Sequence, residues 1–181
     1  MRRIYTIGYG KRNISEFLSL LKKYAVEVIV DVRSFPYSKQ NPDFSKERLK
    51  ELLNKENIKF LYLGDLLGGR PKDADCYIDG KVNYQKCEEK DFFKKGIARL
   101  IAGINKGYRI CLMCSEIKPE DCHRSKLIGQ YLEKMNIEVL HIDEGGNIKT
   151  QSEVWEKIVG RQKTLFGDFV TSKKRYPRNY K

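Results

Sequence analysis

The chain has 181 residues, 36 Lys and Arg against 24 Asp and Glu, a net charge of +12, and 40% hydrophobic with 11% aromatic residues. That length fits one domain with short appendages, and so many aromatic anchors exclude global disorder. No apolar run approaches the roughly 20 residues of a membrane helix, and Met1 to Gly8 enters a strand pattern with no room for a signal peptide, so a soluble cytoplasmic protein with no membrane partner is expected.

Arg3 to Ile7 reads as a strand ending at Gly8-Tyr9-Gly10. Asn13, with Glu16 three residues on, forms a capping box for a helix whose apolar face is Phe17, Leu18, Leu20, Leu21 and Tyr24. Val26 to Val32 is a near-continuous β-branched run, the mark of a strand buried on both faces. Ser45 is a good N-cap for a helix through about Glu56, and Ile58 to Leu63 is a third strand. Gly64 to Lys90, with Leu67-Gly68-Gly69-Arg70-Pro71, has little periodicity; a loop that long in a compact domain is more often functional or mobile than idle. A helix over Asp91–Asn105 ends at Gly107, and Tyr108 to Met113 is a fourth strand. A helix from about Cys122 to Met135, a fifth strand over Glu138–Ile142 and a last helix from near Ser152 complete the pattern.

Five rounds of strand and helix predict a three-layer, Rossmann-like α/β domain over residues 1–160 with a mainly parallel five-stranded sheet. Residues 161–181 read as a basic tail: Arg161, Lys163, Lys173, Lys174, Arg175, Arg178 and Lys181 face one acid, Asp168. Tyr176 and Tyr180 interleave with these cations and could stack on bases. Solvated charge is the plainer reading of the same segment.

In parallel sheets ligands bind beyond the carboxyl ends of the strands. The unusual residues all fall at that edge: Gly8-Tyr9-Gly10, Asp31-Val32-Arg33-Ser34, Gly64-Asp65, Cys114-Ser115-Glu116 and His141-Ile142-Asp143. The densest stretch runs from Cys114 to Arg124. Cys122, His123 and Arg124 would occupy the first turn of a helix, where unpaired N–H groups suit an anion and lower a thiol pKa. Glu116 could move a proton from the facing loop. The catalytic candidates are therefore Cys114, Glu116, Cys122 and His123, and the substrate-binding candidates Gly8, Tyr9, Gly10, Asp31, Arg33, Ser34 and Arg124.

Plainer readings stand beside these. The two glycines around Tyr9 suit an ordinary tight turn, and Asp31 with Arg33 suits an internal ion pair. Five cysteines at irregular spacing do not form a secreted disulfide framework. Cys111 reads as core, and in a strand it points to the opposite face from Cys114, which argues against a redox pair; Cys76 and Cys87 read as incidental. Cys114, Cys122, His123 and His141 offer zinc-type ligands, yet C-x7-C-H is not a standard zinc spacing, so no metal or other cofactor is assigned.

The stretches Thr6-Ile7-Gly8-Tyr9-Gly10, Asp31-Val32-Arg33-Ser34 with Pro36, Ser38 and Phe44, Leu67-Gly68-Gly69, and Cys114-x-Glu116 with Pro119, Cys122-His123-Arg124 and His141-Ile142 resemble the family catalogued as domain of unknown function 488. The resemblance covers about Ile4 to Gly145. Lys39 stands where the family often has arginine, and Tyr9 where many members have histidine. The family name confers no reaction, so the resemblance implies a site more than an activity. Three functions follow: an enzyme acting on a phosphate-bearing nucleotide or nucleic acid, a noncatalytic nucleic-acid binder using the tail, or a thiol or metal site serving redox or stability. The expected partner is an anionic small molecule or a nucleic acid.

Overall fold

The computed structural model describes residues 2–161, 171–172 and 174–176. In chain order the principal elements are β1 (Arg3–Gly8), α1 (Ile14–Lys23), β2 (Val28–Asp31), α2 (Lys46–Lys55), β3 (Lys59–Tyr62), α3 (Gly64–Leu67), β4 (Tyr77–Ile78), β5 (Lys81–Val82), α4 (Tyr84–Glu89), α5 (Asp91–Asn105), β6 (Ile110–Cys114), α6 (Gln130–Lys134), β7 (Glu138–Ile142), β8 (Ile148–Thr150) and α7 (Gln151–Arg161). The central sheet has six strands in the order β3-β2-β6-β1-β7-β8. The first five are parallel, and β8 adds an antiparallel edge beside β7.

Two expectations need correcting. The sheet has one strand more than expected, because Ile148–Thr150 is too short to signal itself by alternation. The stretch from Gly64 to Lys90 is not an unstructured loop: it holds α3, the antiparallel β4–β5 hairpin and α4. These pieces are four residues, two plus two, and six residues long, below the reach of periodicity. The Asn13–Glu16 capping box is present in both directions, and Gly107 (φ +82°) ends α5.

Strand pleating sends alternate side chains of β6 into two cores. Ile110, Leu112 and Cys114 join one core with Phe93, Ile97 and Leu132, while Cys111 and Met113 join the other with Phe17, Leu21, Leu49 and Leu53. Helices therefore cover both faces: α1 and α2 on one, α5 and α6 on the other. This arrangement also sets the site. β1 and β6 are neighbours, but the chain leaves β1 toward α1 on one face and leaves β6 toward α6 on the other. Their carboxyl ends flank a topological switch point, where an open parallel sheet leaves a crevice.

Gly8 lies at that point, in register with Cys114. The loop after β6 is laid directly over it, and a Cβ on Gly8 would sit 1.8 Å from the Glu116 carbonyl oxygen. Only a residue without a side chain permits so close an approach. Gly8→Ala is expected to cost about 1–3 kcal/mol, the usual penalty of overpacking, and to lower the urea midpoint. An unaltered midpoint would mean that the Glu116 loop does not need this contact.

Candidate active site

β6 ends on Cys114, and Pro119–Asp121 makes one 3₁₀ turn before Cys122. His123 then opens a π-helical segment, Arg124–Gly129, that runs on into α6. The expected helix is thus present but widened at its start, a distortion frequent at functional sites. The loop is shaped by Arg124, whose guanidinium is wholly buried and donates to the carbonyls of Glu116 and Ile117 (Nη2 to Ile117 O, 3.0 Å).

Four reactive groups meet as a result. Glu116 Oε2 accepts from Cys114 Sγ at 3.0 Å and from Cys122 Sγ at 3.4 Å. His123 Nδ1 lies 3.8 Å from Cys114 Sγ and 3.7 Å from Cys122 Sγ. On the far side of the ring, Nε2 donates to the Val32 carbonyl at 3.0 Å. Cys114, Cys122 and His123 are buried, whereas Glu116 opens toward solvent. Gly69 completes the packing: a Cβ there would fall 2.8 Å from His123 Nδ1.

Burial raises the Cys122 pKa, but the Cys114 thiol, His123 and Arg124 outweigh it and bring it below the ordinary thiol value. Cys114 moves up, because the neighbouring Cys122 sulfur and its own desolvation both favour the neutral thiol. Glu116 falls to about 2: desolvation opposes its ionisation, but the hydrogen bond from Cys114 and the charge of His123 prevail. His123 rises, since Cys122 and Glu116 overcome the effect of its burial.

Cys114, Glu116 and His123 line the floor of a cleft of about 760 Å³; Cys122 does not line it and meets it through its contacts with Glu116 and His123. Arg33, Arg70, Lys118 and Lys174 are the cations along its walls. Arg33 is paired with buried Asp31 through Nε (2.9 Å) and Nη2 (2.7 Å), which leaves Nη1 buried without a hydrogen-bond partner. Ser34 lines the cleft and accepts from the Arg70 backbone N–H at 2.9 Å. Of the remaining candidates, Tyr9 is buried against Phe44 and lies beneath the Arg33 guanidinium. Gly8, Gly10 and Arg124 support the loop from below and do not line the cleft.

The family model described as "Domain of unknown function DUF488" matches residues 13–132, two thirds of the chain. The chain belongs to this family. No curated protein and no solved structure matches it. The stretch matched to the DUF488 family holds Asp31, Arg33, Cys114, Glu116, Cys122, His123 and Arg124; Gly8, Tyr9, Gly10 and His141 fall outside it.

Sequence reasoning missed several parts of this site in the DUF488 chain. Arg12 is buried and donates to the carbonyls of Gly8 and Asp143, tying the loop after β1 to the loop after β7. Nothing in its local sequence distinguishes it from a surface arginine. Lys118 sits within the dense stretch but was not singled out, and Arg70 carried only the signal of the Gly68-Gly69 pair. Lys174 and Tyr176 were expected in a separate tail. They line the cleft, because Asn83 forms an isolated bridge to Thr171, Ser172 N–H donates to Val82 O (3.0 Å) and Tyr176 N–H to Gly80 O (2.7 Å). Of the other tail residues named above, Arg161 ends α7 and Arg175 is described, whereas Lys163, Asp168, Lys173, Arg178, Tyr180 and Lys181 lie outside the described residues.

His141 is apart from the cluster. Its Nδ1 is 2.7 Å from Thr6 Oγ1 and its Nε2 is 2.6 Å from Gln151 Oε1, so both ring nitrogens are engaged. Burial first, and then the charge of Arg124, lower its pKa to about 3. The neutral ring therefore contributes stability above its ordinary pKa of ~6.5, and that contribution is lost as pH falls toward the folded value. Two histidines make this easy to read by NMR. The His141 ring signals are expected to stay fixed between about pH 7.5 and about pH 5, with unfolding stability declining below ~6.5; a ring titrating near 6.5 would show the Thr6–His141–Gln151 chain to be open.

Proposed function

We propose that the protein is an enzyme acting on a phosphate-bearing substrate, a nucleotide or a nucleic acid, through Cys114, Glu116, Cys122 and His123. The observation that carries this reading is one cleft with two kinds of chemistry: Cys114, Glu116 and His123 on its floor, with Cys122 in contact with them, and cations on the walls. Arg33 Nη1 is the group that fits a phosphate oxygen, since a buried guanidinium N–H without an acceptor is costly until one arrives. The volume suits a nucleotide-sized ligand. Above the floor, Arg70 lies 5.7 Å from the Phe35 ring and 4.4 Å from the Tyr176 ring, a cation–aromatic platform on which a base can stack. Glu116, ionised and open to the cleft, is the proton carrier.

The alternative of a noncatalytic binder working through a separate tail is less favoured. Lys174 and Tyr176 belong to the wall of this same cleft, so the tail cations and the reactive floor would meet one ligand.

Binding and turnover separate the readings. Lys118→Ala and Lys174→Ala are each expected to reduce the slope of log K against log salt for a single-stranded oligonucleotide by about 0.7. Glu116→Gln should leave that binding intact and reduce product formation, followed by mass spectrometry over a panel of nucleotides and oligonucleotides, by about 10²-fold or more. Salt-independent binding would remove the phosphate contacts, and turnover surviving in Glu116→Gln would remove the assigned proton carrier. Binding without product from the wild-type chain would leave only a binder.

A further inference from the structure

We propose that Cys114, Cys122 and His123 bind a zinc ion whose fourth coordination position faces the cleft beside Glu116. The donor atoms of these three residues all lie within 4.8 Å of one another. In a tetrahedral zinc site with bonds of ~2.3 Å to sulfur and ~2.0 Å to nitrogen, ligand atoms are about 3.6–3.8 Å apart. The two sulfur-to-nitrogen separations here, 3.8 and 3.7 Å, have that length. The surroundings of the donors agree. The Val32 carbonyl can only accept, so Nε2 carries a proton, and Nδ1, the nitrogen that faces both sulfurs, is the one that would lose its proton to a metal, as when a backbone carbonyl orients a metal-binding imidazole. The Arg124 backbone N–H points at Cys122 Sγ, 3.5 Å away, where it supports a thiolate. Among the described residues this is the one group of three or more such donors brought together.

The C-x7-C-H spacing is unlike a zinc finger because the ligands do not come from one hairpin or one helix. Cys114 closes a strand, whereas Cys122 and His123 follow a 3₁₀ turn, and Arg124 folds the seven intervening residues back over Gly8. Two thiolates and an imidazole select zinc over magnesium or calcium, which take oxygen ligands. Three protein ligands with an open fourth position mark a catalytic rather than a closed structural site. Glu116 Oε2, 3.0 and 3.4 Å from the two sulfurs, stands on the open side. Two cysteines, one histidine and a neighbouring non-ligating glutamate form the donor set with which zinc enzymes activate water against nucleobases.

This assignment deepens the enzymatic reading and rests on it for the chemistry, which is hydrolysis. Held by Cys114, Cys122 and His123, the ion would acidify a water, whose proton Glu116 would take as the water oxygen bonds to the electrophilic centre of the substrate. The bond from that centre to the leaving group breaks, and the leaving group takes the proton from Glu116. Water is the only co-reactant.

The test is metal content, measured on the full chain purified without chelators or metal-affinity resin. About one zinc per chain is expected. Cys122→Ser and Cys114→Ser should lose it, while Glu116→Gln should keep it. Because a cysteine variant could fail to fold, the metal-free wild type is also titrated with Co²⁺, with circular dichroism as the control on folding; thiolate-to-cobalt charge-transfer absorption is the expected signature. Folded wild type that takes up neither Zn²⁺ nor Co²⁺, or that forms a Cys114–Cys122 disulfide in air instead, overturns the site. Loss of zinc from Glu116→Gln as complete as from Cys122→Ser overturns the open fourth position. Metal-free turnover would end the zinc assignment and leave the enzyme, whereas bound zinc without turnover would do the reverse.

Discussion

The guanidinium of Arg124 holds the rest of the site in place. Among the described residues it is the largest fully buried side chain, and it faces the carbonyl oxygens of Glu116 and Ile117. Taking a cation out of water costs several kcal/mol unless dipoles replace the lost hydration. Here the replacement is the backbone of the loop it organises, so the loop can leave only by exposing a buried charge. The same residue sits one position after His123 and two after Cys122, with its own N–H directed at the Cys122 sulfur. One side chain therefore ties the strand-end half of the cluster, Cys114 and Glu116, to the helical half, Cys122 and His123.

The position of that loop follows from chain topology. β6 enters between β2 and β1, and its exit leads to the face opposite α1. The carboxyl ends of three adjacent parallel strands consequently stand together: Asp31 of β2, Cys114 of β6 and Gly8 of β1. Two further arginines brace this edge. Arg33 pairs with Asp31, and Arg12 bridges the carbonyls of Gly8 and Asp143. Arg33 Nη1 and Arg124 Nε are both buried without a hydrogen-bond partner, but of these three arginines only Arg33 lines the cleft, which is why it is the anion group in the functional reading while Arg12 and Arg124 serve as supports.

Much of this was legible from the chain because the signals were local. The near-continuous apolar run from Val26 to Val32, which holds the strand Val28–Asp31, the Asn13 capping box and the Glu138–Ile142 strand each report their structure within a few residues. The opposed faces of Cys111 and Cys114 followed from strand pleating, and the two residues do lie in different cores. Strands of two or three residues, such as β4, β5 and β8, are too short to show alternation and left no such trace. The return of Thr171–Ser172 and Tyr176 to the β4–β5 hairpin was likewise hidden, because a pairing some ninety residues apart depends on backbone groups that every residue has.

The candidate site divides in the same way. By itself the sequence determined the inventory: a parallel α/β domain and a set of thiol, imidazole, carboxylate and guanidinium groups at strand ends, because residue type and alternation are properties of the chain. The tertiary structure decided the assignments. Arg124, a candidate anion binder by its place at a helix start, has both Nη groups turned to the carbonyls of Glu116 and Ile117. His141, a candidate ligand by type, is closed between Thr6 and Gln151. Cys114, Cys122 and His123, unpromising by spacing, have their donor atoms within 4.8 Å of one another. The reason is geometric: a ligand set is defined by distances between side-chain atoms, and spacing along a chain fixes those distances only within one helix, strand or hairpin.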